Sequence, residues 1–446
     1  MAPSYRLILV LLLGLTVTSA EDTLCHLNNE MTRCVCKAQP IDDPDRVFCI
    51  MALELELRDG KVDLGSLMGL QIDMNYVKLL PMEKLIFNNI TVSTVAITTI
   101  IPFLSLSKVK EVNILSSTVE HVIPSWPSVS LKKSKIKTLV LENVTVDSVL
   151  LSHPFHELHQ WLFSSLTSLR LVHSGLVEFD CYWAEKAKNL IHLDLSENPI
   201  SLASLQNVSH CSSLSYKYLK SLHLRHSGLT SLQALCTLLS LTTALTDLDV
   251  SGNNFSVFHF PYCLQMKPLR MLNLSHSGIT EVNSALSATL EELDLSYNSL
   301  EVFSNPLQSL KKLNLSNNRL KTLHFLTTLI HLKELNVDSN QLTVLINETE
   351  VSLNTVQQLD VLYARRNPYH CDFGLRETID FLKKAHSVAG DLDSYLCETP
   401  TAQKGTPIMK YMLETTEEPV SRAQHNDAAL CFMLFVGLLP QLIYMF

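Results

Sequence analysis

Leu293-Asp294-Leu295-Ser296-Tyr297-Asn298-Ser299-Leu300 is followed by Leu313-Asn314-Leu315-Ser316-Asn317-Asn318-Arg319-Leu320. The same pattern returns as Leu193-Asp194-Leu195 with Asn198, Leu248-Asp249-Val250 with Asn253, and Leu335-Asn336-Val337 with Asn340. The leading leucines Leu272, Leu293, Leu313 and Leu335 recur at a short and nearly constant step. A unit this short cannot cover its own apolar face, so copies must stack and share one core. Within Leu-x-Leu the side chains alternate across a short strand, so the leucines point inward and the middle residue points out. The Asn falls where the chain turns, and its amide can bond backbone groups that would otherwise lie buried and unpaired.

This is leucine-rich-repeat spacing. The fold class it predicts is an α/β solenoid: a curved horseshoe with a parallel β-sheet on its concave face and cysteine-containing end caps. Working toward the N-terminus, Leu85-Ile86-Phe87, Val112-Asn113-Ile114, Leu139-Val140-Leu141 and Leu169-Arg170-Leu171 fit the strand register at longer, less regular steps. Three repeats carry His-Ser-Gly in place of the Asn: His173-Ser174-Gly175, His226-Ser227-Gly228 and His276-Ser277-Gly278. Ser can make part of the same bond. These histidines recur with the repeat, so stacking separates them, and they read as repeat-loop residues and not as a catalytic set.

The ends set the compartment. Arg6 precedes the apolar run Leu7 to Leu15, then Thr18-Ser19-Ala20, the layout of a cleaved secretory signal. Residues 1–20 are therefore expected to be a signal peptide, 21–60 an N-terminal cysteine cap, 61–366 the repeats and 367–398 a C-terminal cysteine cap. Residues 399–427, with Pro400, Pro407 and Pro419, are expected to be a flexible stalk. Residues 428–446 hold no charged residue, and no Lys or Arg follows them. They read as a glycosylphosphatidylinositol signal, with Ser421 and Asn426 as attachment candidates; a plain membrane helix is the alternative. The expected location is the extracellular face of the plasma membrane, lipid-anchored, with a soluble secreted form also open.

Of eleven cysteines, Cys431 lies in the tail. Cys25, Cys34, Cys36, Cys49, Cys181, Cys211, Cys236, Cys263, Cys371 and Cys397 remain, an even number that suggests disulfides in a secreted chain. Sequons at Asn89, Asn143, Asn207, Asn254, Asn273, Asn314 and Asn347 fit a secreted glycoprotein. A net charge of -9 argues against a nucleic-acid binder. His153-Pro154-Phe155-His156-Glu157-Leu158-His159 lacks the HExxH arrangement, and Pro154 breaks the local helix. No nucleophile elbow, phosphate loop or dinucleotide fingerprint is present, so no enzyme, metal or cofactor is predicted.

Cys25-His26-Leu27-Asn28-Asn29-Glu30, then Arg33-Cys34-Val35-Cys36 and Cys49, resembles the N-terminal cap of the monocyte differentiation antigen family, a lipopolysaccharide co-receptor. Cys181/Cys211 and Cys236/Cys263 also stand where that family has repeat disulfides. The resemblance covers residues 21 to 345. It implies Cys25–Cys36 and Cys34–Cys49 links, a connectivity that sequence alone does not choose. It also implies a bent horseshoe able to form a homodimer. Such a protein takes bacterial lipopolysaccharide or lipopeptide into an N-terminal apolar pocket and passes it to a Toll-like receptor complex. The Cys371/Cys397 cap, opening with Asn367-Pro368-Tyr369-His370-Cys371 and continuing in a helical pattern from Leu375 to Lys384, looks more like the end of a Toll-like receptor ectodomain.

The stretch from Val62 to Leu106 is unusually apolar. Leu67, Leu70, Tyr76, Val77, Leu80, Val95, Ile97, Ile100, Ile101, Phe103 and Leu104 either fill a wide first turn or line a cavity, and the resemblance favours the cavity. Burial gains ~0.8 kcal/mol per methylene, so an acyl chain of about twelve carbons gains ~10 kcal/mol before ordering costs. Arg58, Lys61, Lys78 and Lys84 are the local cations for a lipid's phosphates. The competing site is the concave face. Its outward Asp194, Asp249, Asp294, Glu292 and Glu334 would suit a basic protein partner, and glycans on Asn273 or Asn314 would obstruct one. The basic run Lys132-Lys133-Ser134-Lys135-Ile136-Lys137 either touches anionic lipid heads or a partner, or is a solvated loop leading into the Leu139 strand. The expected function is a pattern-recognition co-receptor for acylated lipids; the alternative is an adhesion or decoy receptor using the concave face.

Overall fold

Every Leu-x-Leu quoted above forms a strand, in the register that its leucines dictate. The computed structural model describes residues 25–38, 49, 51–62, 79–93, 107–120, 134–146, 162–177, 187–201, 216–256, 259–282, 285–345, 359–376, 378–379, 382 and 392–415. They fall into two units: Met1–Ser277 with Ala285–Ser287, and Gly278–Ser284 with Ala288–Phe446.

The first unit holds β1 (Cys25–Leu27), β2 (Arg33–Lys37), β3 (Glu54–Val62), β4 (Lys84–Ser93), β5 (Glu111–Leu115), β6 (Thr118–Glu120), β7 (Thr138–Glu142) and β8 (Thr145–Val146). It continues with β9 (Ser168–Val172), β10 (His192–Asp194), β11 (Ser221–His223), β12 (Asp247–Asp249) and β13 (Met271–Asn273). β1 is antiparallel to β2, and from β2 the main ladder runs parallel through β3, β4, β5, β7 and β9 to β13. Leu55, Leu85, Val112, Leu139, Leu169, Leu193, Leu222, Leu248 and Leu272 lie in one rank. From Leu85 onward this rank is buried, and such burial stabilises by about 1.5–3 kcal/mol per side chain. A second, shorter ladder joins the ends of β3 and β4 to β6 and β8.

The second unit repeats the plan with β14 (Glu292–Asp294), β15 (Lys312–Asn314), β16 (Glu334–Asn336) and β17 (Val361–Tyr363). Leu293, Leu313, Leu335 and Leu362 share its inner rank. β17 escapes the sequence pattern because Ala364 stands where the second leucine is expected, and the step from Leu335 to Leu362 is longer than those before it.

The Asn takes the role its position suggests. Asn198 Nδ2 donates to the carbonyls of Leu195 (2.9 Å) and Ser196 (3.0 Å) in its own repeat and Leu171 (2.6 Å) in the preceding one. Its Oδ1 accepts from the Ser174 and Leu176 amides, each at 3.0 Å. Asn253 and Asn318 repeat the pattern, bonding the carbonyls of Leu224 and Leu295 in the preceding repeats. The His-Ser-Gly repeats alternate with Asn repeats, so the next Asn serves them. Ser227 Oγ reaches only Arg225 O (3.1 Å), but Asn253 Oδ1 takes the Ser227 and Leu229 amides. Asn367, expected to open the cap, also closes this ladder by bonding Val337 O (3.0 Å).

At one fixed place in the repeat, four residues after the inward leucine rank, the backbone turns left-handed. Asp59, Asn89, Ser116, Asn143, His173, Glu197, His226, His276, Tyr297, Asn317, Ser339 and Arg366 have φ from 47° to 60°. Only Gly252 supplies the residue that favours this conformation at the equivalent place.

Cys25–Cys36 and Cys34–Cys49 close the N-terminal cap, as the resemblance implies. Cys236–Cys263 joins α1 (Cys236–Ser240) to α2 (Tyr262–Gln265), and Cys371–Cys397 closes the C-terminal cap. Cys181 and Cys211 lie outside the described residues. The first part of the segment expected to be a stalk is folded. Thr399 belongs to β19 (Cys397–Thr399), which pairs with β18 (Tyr369–His370). Leu396 bridges to Pro407, and the fully buried Ile408 opens α3 (Ile408–Thr415). The prolines end strands and open the helix here, and Ile408 anchors the segment to the cap.

Candidate functional site

Of the proposed pocket residues, Leu67, Leu70, Tyr76, Val77, Val95, Ile97, Ile100, Ile101, Phe103 and Leu104 lie outside the described residues, as does Lys78. So do residues 1–20, expected to be a signal peptide, the apolar residues 428–446, the His153–His159 run, Lys132, Lys133, Asn207 and Asn347. Leu80 is described and half-buried, beside an exposed Leu79. In β3, Leu55 and Leu57 point inward and pack on the cap cysteines, yet both are only half-buried and form the margin of that cluster. Their register partners Leu85 and Phe87 are each 3% exposed. Met51 and Leu53, just before β3, are exposed as well. Apolar surface therefore remains open at this end of the first unit, whereas the following repeats bury it.

The cations assigned to lipid phosphates are committed elsewhere. Arg58 pairs with Glu56 (3.0 Å), Lys61 with Glu120 (2.8 Å) and Lys84 with Glu111 (3.0 Å). Glu56 is buried and also accepts from Arg33 (2.7 Å) and Asn88 (3.0 Å). Burial alone would raise its carboxyl, but the bonds from Arg33 and Asn88 and the charge of Arg58 hold it below its ordinary value.

The open face of the ladder is not the acidic surface the sequence suggested, because cations occupy the same rank. Asp194 lies between Arg170 (3.4 Å) and Arg225 (3.5 Å), with His223 at 3.8 Å. Against the penalty of burial, contacts with His223 and hydrogen bonds from Ser196 hold the Asp194 carboxyl well below the usual range. Lys312 stands 3.8 Å from both Glu292 and Glu334. Asp249 accepts from the Ser251 amide and hydroxyl, and Asp294 from the Ser296 amide and Asn314 Nδ2. The aspartates thus brace the turn that follows them.

Ser221 Oγ is 3.1 Å from His223 Nε2, and His223 Nδ1 faces Asp194, the connectivity of a hydrolytic triad. Two guanidinium groups already engage Asp194, which weakens its hold on the imidazole. The chain around β11 is paired with β10 and β12, so its amides do not form an oxyanion hole. The cluster is a charge network in a sheet. Cys25, Cys36 and Cys49 also converge, but their sulfurs are tied in disulfides. Among the described residues, no helix is long and apolar enough to cross a membrane.

Asn143 and Asn254 are exposed beyond the C-terminal ends of β7 and β12, and Asn89 is exposed in the second half of β4. Asn273 and Asn314 are half-buried on the open face, where their Oδ1 atoms accept from the Ser275 (3.0 Å) and Ser316 (3.2 Å) amides.

Fold and ladder chemistry together define a leucine-rich-repeat protein. The Leucine Rich Repeat family model matches residues 289–310 and 309–329. The chain is related to Toll-like receptor 2: that of Bison bison is 29% identical over 369 residues, covering 80% of this chain and 45% of the receptor. That of Ovis aries is 30% identical over 311 residues, covering 68% and 38%. The chain therefore spans less than half the length of these curated relatives. The crystal structure of the mouse RP105/MD-1 complex superposes with a TM-score of 0.51 over 80% of this chain and 62% of that one. At 19% identity, this likeness shows the fold alone.

Proposed function

We propose that this protein is a cell-surface pattern-recognition co-receptor of the monocyte differentiation antigen type. It takes the acyl chains of a bacterial amphiphile, such as lipopolysaccharide, between the apolar side chains of its N-terminal region and passes the lipid to a Toll-like receptor complex. The observation that carries the reading is the incompletely covered inner face at the start of β3. Leu55 is the inward residue of a repeat whose neighbours are fully covered, with Leu53 exposed before it, and burying their remaining surface against an acyl chain is favourable. Kinship with Toll-like receptor 2 supports the partner. The mechanism is reversible burial, with no covalent step, and a lipid anchor would hold the protein at the surface.

Lipid extraction and mass spectrometry of the purified protein test this reading directly, with a bound acylated amphiphile as the expected result. The Ile97→Glu/Phe103→Glu double variant places two carboxylates among the acyl chains and is expected to lower lipid affinity at least about tenfold. Unchanged affinity in a folded, secreted double variant would refute the pocket. The acidic concave-face receptor is disfavoured by the charge pairing around Asp194 and Lys312.

A further inference from the structure

The N-terminal edge of the strands in the first unit is strongly basic. Lys108 and Lys110 precede β5, Lys135 and Lys137 precede β7, Lys188 precedes β10, and Lys217 and Lys220 precede β11; all are exposed. Backbone hydrogen bonds run from repeat to repeat along this edge. The Lys137 amide donates to Lys110 O (2.7 Å), Thr167 to Lys137 O (2.8 Å) and Lys220 to Ile191 O (2.8 Å). The cations are thus stacked in a rank by the ladder itself. Among the described residues of this edge the acid is Glu83, which pairs with Lys110 at one end (3.2 Å). Lysines held side by side repel, and a chain of net charge -9 has acids enough to alternate them. The second unit does so: at the same position in its repeats, Lys311 pairs with Glu291 (2.8 Å) and Lys333 with Asp360 (3.8 Å). The exposed sequons Asn143 and Asn254 lie beyond the C-terminal ends of β7 and β12, and Asn89 in the second half of β4, so glycans on them would leave the basic edge clear.

We infer that this edge is an interaction surface for an extended, sulfated polysaccharide. From β5 through β7, β9 and β10 to β11, at about 4.8 Å per strand, the rank is narrow and about 19 Å long. A linear polyanion lies along such a strip and meets the cations before β5, β7, β10 and β11. A membrane needs apolar side chains to insert, and from Lys108 to Lys220 this edge offers one large exposed apolar residue among those described, Tyr218, already under Lys217 Nζ at 4.6 Å. The inference is independent of the lipid reading, since none of these residues borders β3.

The test is binding of the full chain to immobilised heparin across a NaCl series. Micromolar or tighter binding near 0.15 M salt is expected, with log Kd rising with log salt at a slope reporting about three or more released ions. Lys108→Gln/Lys188→Gln/Lys220→Gln removes three side chains that hold no backbone carbonyl, and is expected to weaken binding about tenfold or more. Lys311→Gln/Lys333→Gln in the second unit is expected to change it less than about twofold. Absence of binding, a salt slope near zero, or equal losses in the two variants would overturn the inference. So would binding to phosphatidylserine vesicles that heparin does not compete, which would assign the edge to a membrane.

Discussion

After the left-handed turn at Asn89 the chain runs on as strand to Ser93, and its new backbone groups pair with Thr118–Glu120 of the next repeat. After the equivalent turn at Glu197 the chain meets Asn198 and leaves the sheet. The two regions meet one requirement by different chemistry. In β3 to β8 the ladder positions hold Gly60, Ile90, Ser117 and Val144, none with an amide side chain, and backbone bonds to backbone across a widened sheet. From β10 onward a side-chain amide replaces that second ladder and lets the strand shorten. An amide inside the turn fills the space with polar atoms. A second strand instead presents Ile90, Val92 and Val119, all buried. The N-terminal repeats thus acquire extra apolar inner surface in the region proposed to accept lipid.

The largest expected effect separates these two solutions. Asn318 Nδ2 bonds Leu295 O (2.9 Å), Leu315 O (3.0 Å) and Ser316 O (3.3 Å), and Oδ1 takes the Leu300 amide (3.0 Å). Asn318→Ala orphans several buried groups together and is expected to cost about 3–5 kcal/mol in urea unfolding of the second unit. Ser117→Ala, at the matching place in the widened sheet, loses only the bonds to Leu115 O (2.6 Å) and from the Ile90 amide (3.2 Å), and is expected to cost about 1 kcal/mol. Equal costs would mean that the second ladder does not relieve that turn.

The open faces provide the next contrast. Glu56 of the widened sheet and Asp194 of the Asn repeats are both buried carboxylates held below their ordinary values. A depressed carboxylate contributes stability that is complete above its unfolded value, near pH 4, and is lost as pH falls through the folded one. The wild type should therefore lose stability from about pH 5 downward. Glu56→Gln/Asp194→Asn should be weaker by about 2–4 kcal/mol at pH 7 and should decline less on acidification, so that the gap between the two proteins narrows progressively below about pH 4. Parallel pH profiles would break the assignment. Testing the two substitutions singly would show whether Glu56, with Arg33 and Asn88 also on it, contributes more than Asp194.

The repeat was legible because stacking imposes it on every copy: Leu293, Leu313 and Leu335 must sit in one rank, so their spacing shows. β17 was hidden because a buried Ala364 serves under the cap where earlier repeats need a larger residue. The charge pairing of the open face was hidden for a different reason. Arg170 and Asp194 belong to different repeats and meet only through the register of β9 and β10, so reading one repeat at a time shows the acid without its cation. The basic edge was half visible, as the run from Lys132 to Lys137; its continuation through Lys188 and Lys220 needs the stack to appear. Disulfide pairing came from the resemblance, since spacing alone permits several connectivities.

The smallest expected effect concerns the left-handed column. In the widened sheet it holds Asp59, Asn89, Ser116 and Asn143, short polar side chains, three of them the Asx residues that tolerate φ near +55° best. From β9 onward it holds His173, Glu197, His226 and Gly252, so bulk enters the column and one glycine answers it. A Cβ on Gly252 would clash with the His226 ring, and φ there is +67°. Gly252→Ala therefore carries two penalties, backbone strain and displacement of the imidazole, together expected at about 2 kcal/mol. Only the second depends on His226. In a His226→Ala background the same substitution should cost about 1 kcal/mol, and the difference is the coupling energy of a double-mutant cycle. Additive costs would mean that the ring swings aside freely, leaving backbone conformation alone to require the glycine.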